Sequence, residues 1–233
     1  MADMNPFLAP KNYSQMLLKI ATCTFLWTLL VTCLIAYVSP AAKRFLGHFS
    51  VTVSVAGIES IPIGYFAVAV IVALLFRVLK VHDRVSDVFG IRKRFDIQEI
   101  LIPLAGGVGK PVTLDIKEHF DKRRDELMRR IYYKYASSTQ PQIDPHIIIM
   151  ALDRWSWFWI LIESIVVSFF GLVALFALKA YPGAAIAATY AFLATLAATF
   201  TNRACAPLAH AQVQIVLENP TWQGEIKAAL NAL

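Results

Sequence analysis

The sequence reads as an all-α integral membrane protein: four transmembrane helices, a helical cytoplasmic module between the second and third, and one short extracytoplasmic strand. Three observations carry this. The 233 residues are 58% hydrophobic with a mean hydropathy of +0.57, more apolar side chain than one soluble core of this size buries. Four apolar runs, at residues 20–38, 61–79, 157–178 and 184–200, approach the roughly 20 helical residues that cross about 30 Å of hydrocarbon. The basic residues are also unevenly placed. Residues 80–156 hold 14 of the 22 Lys and Arg, residues 41–60 hold only Lys43 and Arg44, and residues 180–183 hold none. Short basic loops stay on the cytoplasmic side, so both termini and the central module are placed inside, in a cell inner membrane.

The divisions follow from the runs. Residues 1–15 form a cytoplasmic N-terminal segment, with Ser14 as the expected N-cap of the first helix. Residues 16–79 make the first transmembrane hairpin, whose outer loop is 39–60. The first run is long and lacks a cleavage pattern, so it is read as retained rather than as a signal peptide. It carries Thr24, Thr28 and Thr32 on one ridge, side chains that allow close helix approach and interhelical hydrogen bonds. Within the loop, residues 49–55 alternate apolar and hydroxyl side chains, a strand pattern; so isolated a strand pairs with flanking residues, lies on the membrane face, or meets the same strand of another subunit.

The second run ends at Arg77, and Val81, Val85, Val88 and Phe89 extend its amphipathic face as far as Gly90. Residues 80–156 form the cytoplasmic module. It is nearly balanced in charge, with 11 acids against its 14 bases, so the net +6 of the chain is mainly a topology signal and not a nucleic-acid footprint. Arg92, Lys93 and Arg94 are placed at the bilayer surface. A capping box at Asp96–Glu99 starts a helix that Pro103 should keep brief. Thr113 caps a further helix with Ile116, Phe120, Leu127, Ile131 and Tyr135 on one face.

Between these helices lies GGVGK, residues 106–110, which resembles the heart of the phosphate loop of the ParA/MinD class of P-loop ATPases. The resemblance fails at its chemistry. Ala105 stands where that loop needs a lysine and Pro111 where it needs a hydroxyl for magnesium, and proline also removes an amide from the cradle. The stretch reads instead as a hinge or ligand loop, with Lys110 and exposed amides able to meet an anion at a helix N-terminus.

After the linker at residues 136–142, Asp144 and Pro145 start a long helix that reaches the membrane at Arg154, Trp155, Trp157 and Trp159. Pro182 and Gly183 make the outer turn, and the second hairpin occupies 157–203. The tail, 204–233, is broken at Pro207 and turns at Asn219 and Pro220 into a short amphipathic helix.

Glu163 is the one carboxylate inside an apolar run. An ionised carboxylate is costly in hydrocarbon, so it should face a bundle interior or water; Ser164, Ser168 and Gly171 continue a polar stripe beside it. In an oligomer, a ring of Glu163 favours cations. The alternative is a protonated Glu163 bonded to the Thr24, Thr28 and Thr32 ridge. Thr195, Thr199 and Asn202 share a face of the fourth run that suits a narrow aqueous path or tight helix packing. For an anionic ligand, a nucleotide or an oligonucleotide, the candidates are Lys110, Arg123, Arg124, Arg129 and Arg130.

No hydrolase or zinc signature occurs, and His48, His82, His119, His146 and His210 are scattered singly and read as surface residues. Cys23, Cys33 and Cys205 lack metal or disulfide spacing. No enzyme, metal or cofactor is expected. Two functions remain: a homo-oligomeric ion channel or membrane-permeabilising effector gated by a cytoplasmic signal, and a non-catalytic scaffold or accessory subunit that recruits a cytoplasmic partner protein. In architecture, four spans with a compact basic cytoplasmic module, the chain is similar to small multi-pass effectors of bacterial anti-phage defence systems. That resemblance implies depolarisation of the membrane when a nucleotide second messenger or nucleic-acid signal arrives, and brings no residue roles with it.

Overall fold

The computed structural model describes residues 8–49 and 63–232, and among these every regular element is helical. The expected strand at 49–55 lies, from Ser50 onward, outside the described residues. In chain order the helices are α1 (Tyr13–Val38), α2 (Pro40–Gly47), α3 (Ile63–Val78), α4 (Val81–Phe89), α5 (Ile91–Phe95), α6 (Ile102–Gly107), α7 (Leu114–Leu127), α8 (Pro145–Ala177), α9 (Tyr181–Glu218) and α10 (Pro220–Asn231). Two π-helical turns interrupt the series, Asp96–Leu101 before α6 and Met128–Tyr132 after α7. Three helices, α1, α8 and α9, are long and apolar enough to cross a membrane; α3 joins them only if it is counted with α4, from which it is bent by 52°.

The helix ends follow local chemistry. Asn12, not Ser14, caps α1: its Oδ1 accepts from the Gln15 amide at 2.9 Å, and Gln15 Oε1 accepts from the Lys11 amide at 2.8 Å, a reciprocal exchange that uses amides a helix start leaves free. Asp144 Oδ1 accepts from the His146 amide at 2.8 Å, with Pro145 opening α8 where its missing N–H costs nothing. Asn219 and Pro220 repeat this at α10, the Asn219 side chain accepting from Thr221 and Trp222.

The turn between α8 and α9 is made one step earlier than expected. Lys179, at φ 55°, ends α8, and the Ala180 amide bonds the Leu175 carbonyl at 2.9 Å, a Schellman closure. Pro182 falls in the first turn of α9 instead. Pro207 does not break the tail, because α9 passes through it to Glu218. Pro103 likewise does not stop its helix. It sits in the first turn of α6, directly after the π turn.

The chain divides into two compact units. The first comprises Leu17–His82 and Ser156–Phe200, and α1 is its hub. Val31, Phe76 and Val167 pack α1, α3 and α8 together; Ala36, Leu46 and Tyr65 join α1, α2 and α3; Leu175, Ala184 and Ala187 pack α8 and α9 beside Leu34 and Val38 of α1. Glycine permits the closest approaches. A Cβ on Gly64 would meet the Leu46 backbone, and one on Gly171 would lie 2.5 Å from Val31 Cγ1. Ile71, Leu74, Phe170, Val173, Phe192 and Phe200 are exposed on this unit, an apolar surface that suits lipid and not water.

The second unit comprises Leu8–Met16, Asp83–Trp155 and Thr201–Leu233. Its core is built from α6, α7, the π turns, α10 and the end of α9, with Leu101, Leu104, Phe120, Ile131, Val216 and Leu230 almost wholly buried. The expected face of the α7 region is the buried one, Phe120, Leu127, Ile131 and Tyr135 all lying inside. The α4 expectation holds for Val81, which packs against the Val31, Phe76 and Val167 cluster, and fails at its far end. Val88 is 79% exposed and Phe89 64%, whereas His82 and Ser86 are buried: the four-residue step from His82 to Ser86 sets the inward face of α4, and the Ser86 hydroxyl accepts from the Arg92 amide at 3.2 Å.

Candidate functional site

The polar residues of the first unit converge on Glu163. Its side chain is 2% exposed, held inside the unit by α1 on one side and His82 on another. Thr24 Oγ1 lies 2.5 Å from Glu163 Oε2, and His82 Nδ1 lies 3.3 Å from Oε1. Beside this pair, the Ser164 hydroxyl donates to the Leu161 carbonyl at 2.8 Å and accepts from the Tyr190 hydroxyl at 3.0 Å. One turn on, Ser168 Oγ accepts from the Trp27 indole at 2.9 Å, and the Trp27 and Tyr190 rings stack with centroids 3.7 Å apart. Lys19, also buried, places its ammonium 4.5 Å from the centre of the Trp157 ring.

The cluster therefore draws on α1, α4, α8 and α9, and most of its hydrogen bonds run between helices. Such bonds hold apolar helices in register where burial alone discriminates poorly. Glu163, Ser164 and Ser168 are brought together, as their spacing suggests, but inside the single chain. Thr195 and Thr199 are not part of this cluster. Both are exposed, and each returns its hydroxyl to the carbonyl four residues back, at 2.8 Å and 3.0 Å. Asn202 falls in the second unit, its Oδ1 buried with no hydrogen-bond partner.

His82 is the residue that sequence reasoning misplaced, and Trp27 and Tyr190 went unnoticed. A sharper signal existed for His82. It shares a helix face with Ser86, turned away from the exposed Val88, and a buried polar face requires partners.

In the second unit Arg123, Arg124 and Arg129, among the expected anion ligands, are already engaged. Arg123 makes a two-point pair with Glu126, at 3.0 and 2.8 Å. Arg124 lies 3.6 Å from Asp96 and also pairs with Asp125. Arg129 Nε donates to the Asp125 carbonyl at 3.1 Å, and Arg130 is exposed. Arg123, Arg124, Asp125, Glu126 and Arg129, with Lys93, Lys122, Asp87 and Asp121, line a cleft of about 470 Å³, in which Lys93 bonds Asp121 at 2.7 Å. Asp96, buried at the edge of this network, has its carboxyl pushed up to about 6 by burial, against the pull of Arg92 and Arg124. An anion entering the cleft must displace acids that the arginines already hold.

Lys110 requires a correction. The amides of Val108, Gly109 and Lys110 bond the carbonyls of Leu104, Gly106 and Ala105 at 3.2, 3.0 and 2.9 Å, with Gly109 at φ +76°. That is a Schellman end to α6, so GGVGK closes a helix and offers no cradle of free amides. The Lys110 ammonium bonds the Leu230 carbonyl near the C-terminal end of α10, where the carbonyl ends favour a cation. Thr113 Oγ1, for its part, accepts from the Ile116 amide at 3.4 Å. Among the described residues no three His, Cys, Asp or Glu side chains converge as a metal ion would require.

Residues 12–232 match the YmfE protein family, and the chain belongs to that family. No curated protein and no solved structure matches the chain.

Proposed function

We propose that this member of the YmfE family is a four-span protein of the bacterial inner membrane, with both termini and the second unit in the cytoplasm, that self-associates into an ion channel or membrane-permeabilising effector. Counting α3 with α4 as one bent span supports the fourth crossing, and the basic bias of residues 80–156 supports the orientation. The observation that carries the reading is Glu163, a carboxyl buried with His82 and Thr24 inside a unit whose outer surface is apolar. Ionisable groups at membrane depth are costly to keep there and by default point to ion or proton pathways. Purified protein in liposomes, assayed for ion leak with and without nucleotides or oligonucleotides, tests it. Vesicles that stay tight under every condition sink the conducting reading.

One observation favours the scaffold as a second reading. The cleft around Arg123, Arg124 and Arg129 alternates cations with acids, a surface better matched to the mixed charges of a protein partner than to a polyanion. A stoichiometric partner recovered by pull-down, from a chain that is electrically silent, supports it.

A further inference from the structure

Thr24 has two oxygen neighbours but only one hydroxyl hydrogen. Its Oγ1 lies 3.0 Å from the Ile20 carbonyl and 2.5 Å from Glu163 Oε2. The neighbouring threonines of α1 spend their hydrogens on the carbonyl four residues back, Thr22 on Leu18 at 2.9 Å and Thr28 on Thr24 at 2.7 Å. If Thr24 does the same, the oxygen it turns to Glu163 is an acceptor. An ionised carboxylate is an acceptor only, so a charged Glu163 would leave two acceptors facing each other.

A proton on Glu163 Oε2 removes the conflict. Glu163 then donates to Thr24 Oγ1, Thr24 donates to the Ile20 carbonyl, and Glu163 Oε1 accepts from His82 Nδ1–H in the neutral ring. Each of these three hydrogen bonds then has one donor and one acceptor, and the Glu163 carboxyl carries no charge. Neutrality matters here, because Glu163 is 2% and His82 8% exposed, and a buried ion pair must recover the desolvation of both ions.

We propose that Glu163 is a resident proton-binding site, a neutral carboxylic acid whose hydrogen bonds Thr24 and whose carbonyl oxygen takes the His82 N–H. The groups around it are Lys19 and Thr24 from α1, His82 from α4 with the Trp159 ring 6.0 Å away, Ser164 and Ser168 from α8, and Tyr190 from α9. Any part the proton plays in conduction rests on the reading of the chain as an ion-conducting effector; its location does not.

Infrared difference spectra of the full chain in proteoliposomes, wild type minus Glu163→Gln, locate the proton. A carboxylic-acid C=O band that disappears in the variant and moves down in D2O is the expected result, and a carboxylate doublet in its place overturns the site. With Glu163 intact, Thr24→Val should raise the frequency of that band, since the O–H loses its acceptor, and Thr24→Ser should restore it. A band that Thr24→Val leaves unmoved overturns the geometry. Ion flux measured on the same vesicles separates the two claims: silent vesicles with the band present defeat conduction alone, and conducting vesicles with only the carboxylate doublet defeat the proton site alone.

Discussion

The Trp27 indole and the Ser168 hydroxyl meet at 2.9 Å, tying α1 to α8 through the one donor that a tryptophan side chain owns. Ser168→Ala strands that N–H in a part-buried place. The expected cost is about 1–3 kcal/mol, read as a lowered melting temperature of the detergent-solubilised protein. If Ser168 served only as a pore-lining hydroxyl, conductance would change and the melting temperature would not.

Asp96 makes the second unit sensitive to pH. Its folded carboxyl titrates near 6 against an ordinary 3.8, chiefly through burial, so the folded state holds the proton more tightly than the unfolded chain does. The resulting stabilisation is full below about pH 4 and is lost as the pH rises through about 6, a swing of about 2–3 kcal/mol. Glu126 and Glu225, both lowered by their basic partners, slope the opposite way in any melt. The measurement is therefore the difference between wild type and Asp96→Asn at pH 4, 5, 6 and 7. That difference should move in favour of the variant as the pH rises, and a flat difference would contradict it.

Two glycines should respond in opposite directions. At Gly64 an added Cβ runs into the Leu46 carbonyl group, with C at 3.2 Å and Cα at 3.3 Å; backbone cannot swing aside, so Gly64→Ala should cost about 1–3 kcal/mol. At Gly106 nothing lies within 4 Å, and Gly106→Ala should gain about 0.5–1 kcal/mol from a less free unfolded chain. Thermal shift on the two variants side by side gives the sign of each.

Lys110→Met should loosen α10 and leave nucleotide binding untouched. Its ammonium serves the Leu230 carbonyl, a contact worth about 1 kcal/mol. Limited proteolysis should cut the variant sooner after Pro220. Equal resistance in the two proteins, or weakened nucleotide binding in the variant, would restore the ligand-loop reading of GGVGK.

What the sequence made legible was set by short-range chemistry. The Asp144–Pro145 and Asn219–Pro220 pairs mark helix starts because cap and proline act within three residues, and the inward face of α7 shows because Phe120 and Leu127, one heptad apart, stay on the buried side despite the kink at Arg123. Pro207 misled because the proline rule is local, whereas a long apolar helix can absorb one lost bond. At Glu163 the carboxylate could be picked out alone, since charge in an apolar run is conspicuous. Its partners Thr24 and His82 stand 139 and 81 residues away, and only folding brings them near. The Arg-rich face was equally visible, and so were Asp125 and Glu126 beside it on the same helix; Asp96, which approaches Arg124 from 28 residues upstream, was not.

The two π turns give the second unit an unequal tolerance to gaps. Each holds one residue beyond what an α-helical path would need, with the surplus taken up as a local bulge. Loss of a single codon within Asp96–Leu101 or Met128–Tyr132 would let the backbone revert to ordinary winding and keep the flanking helices in phase. The same loss in the middle of α8 would turn everything beyond it by about 100°, carrying Ser168 away from Trp27.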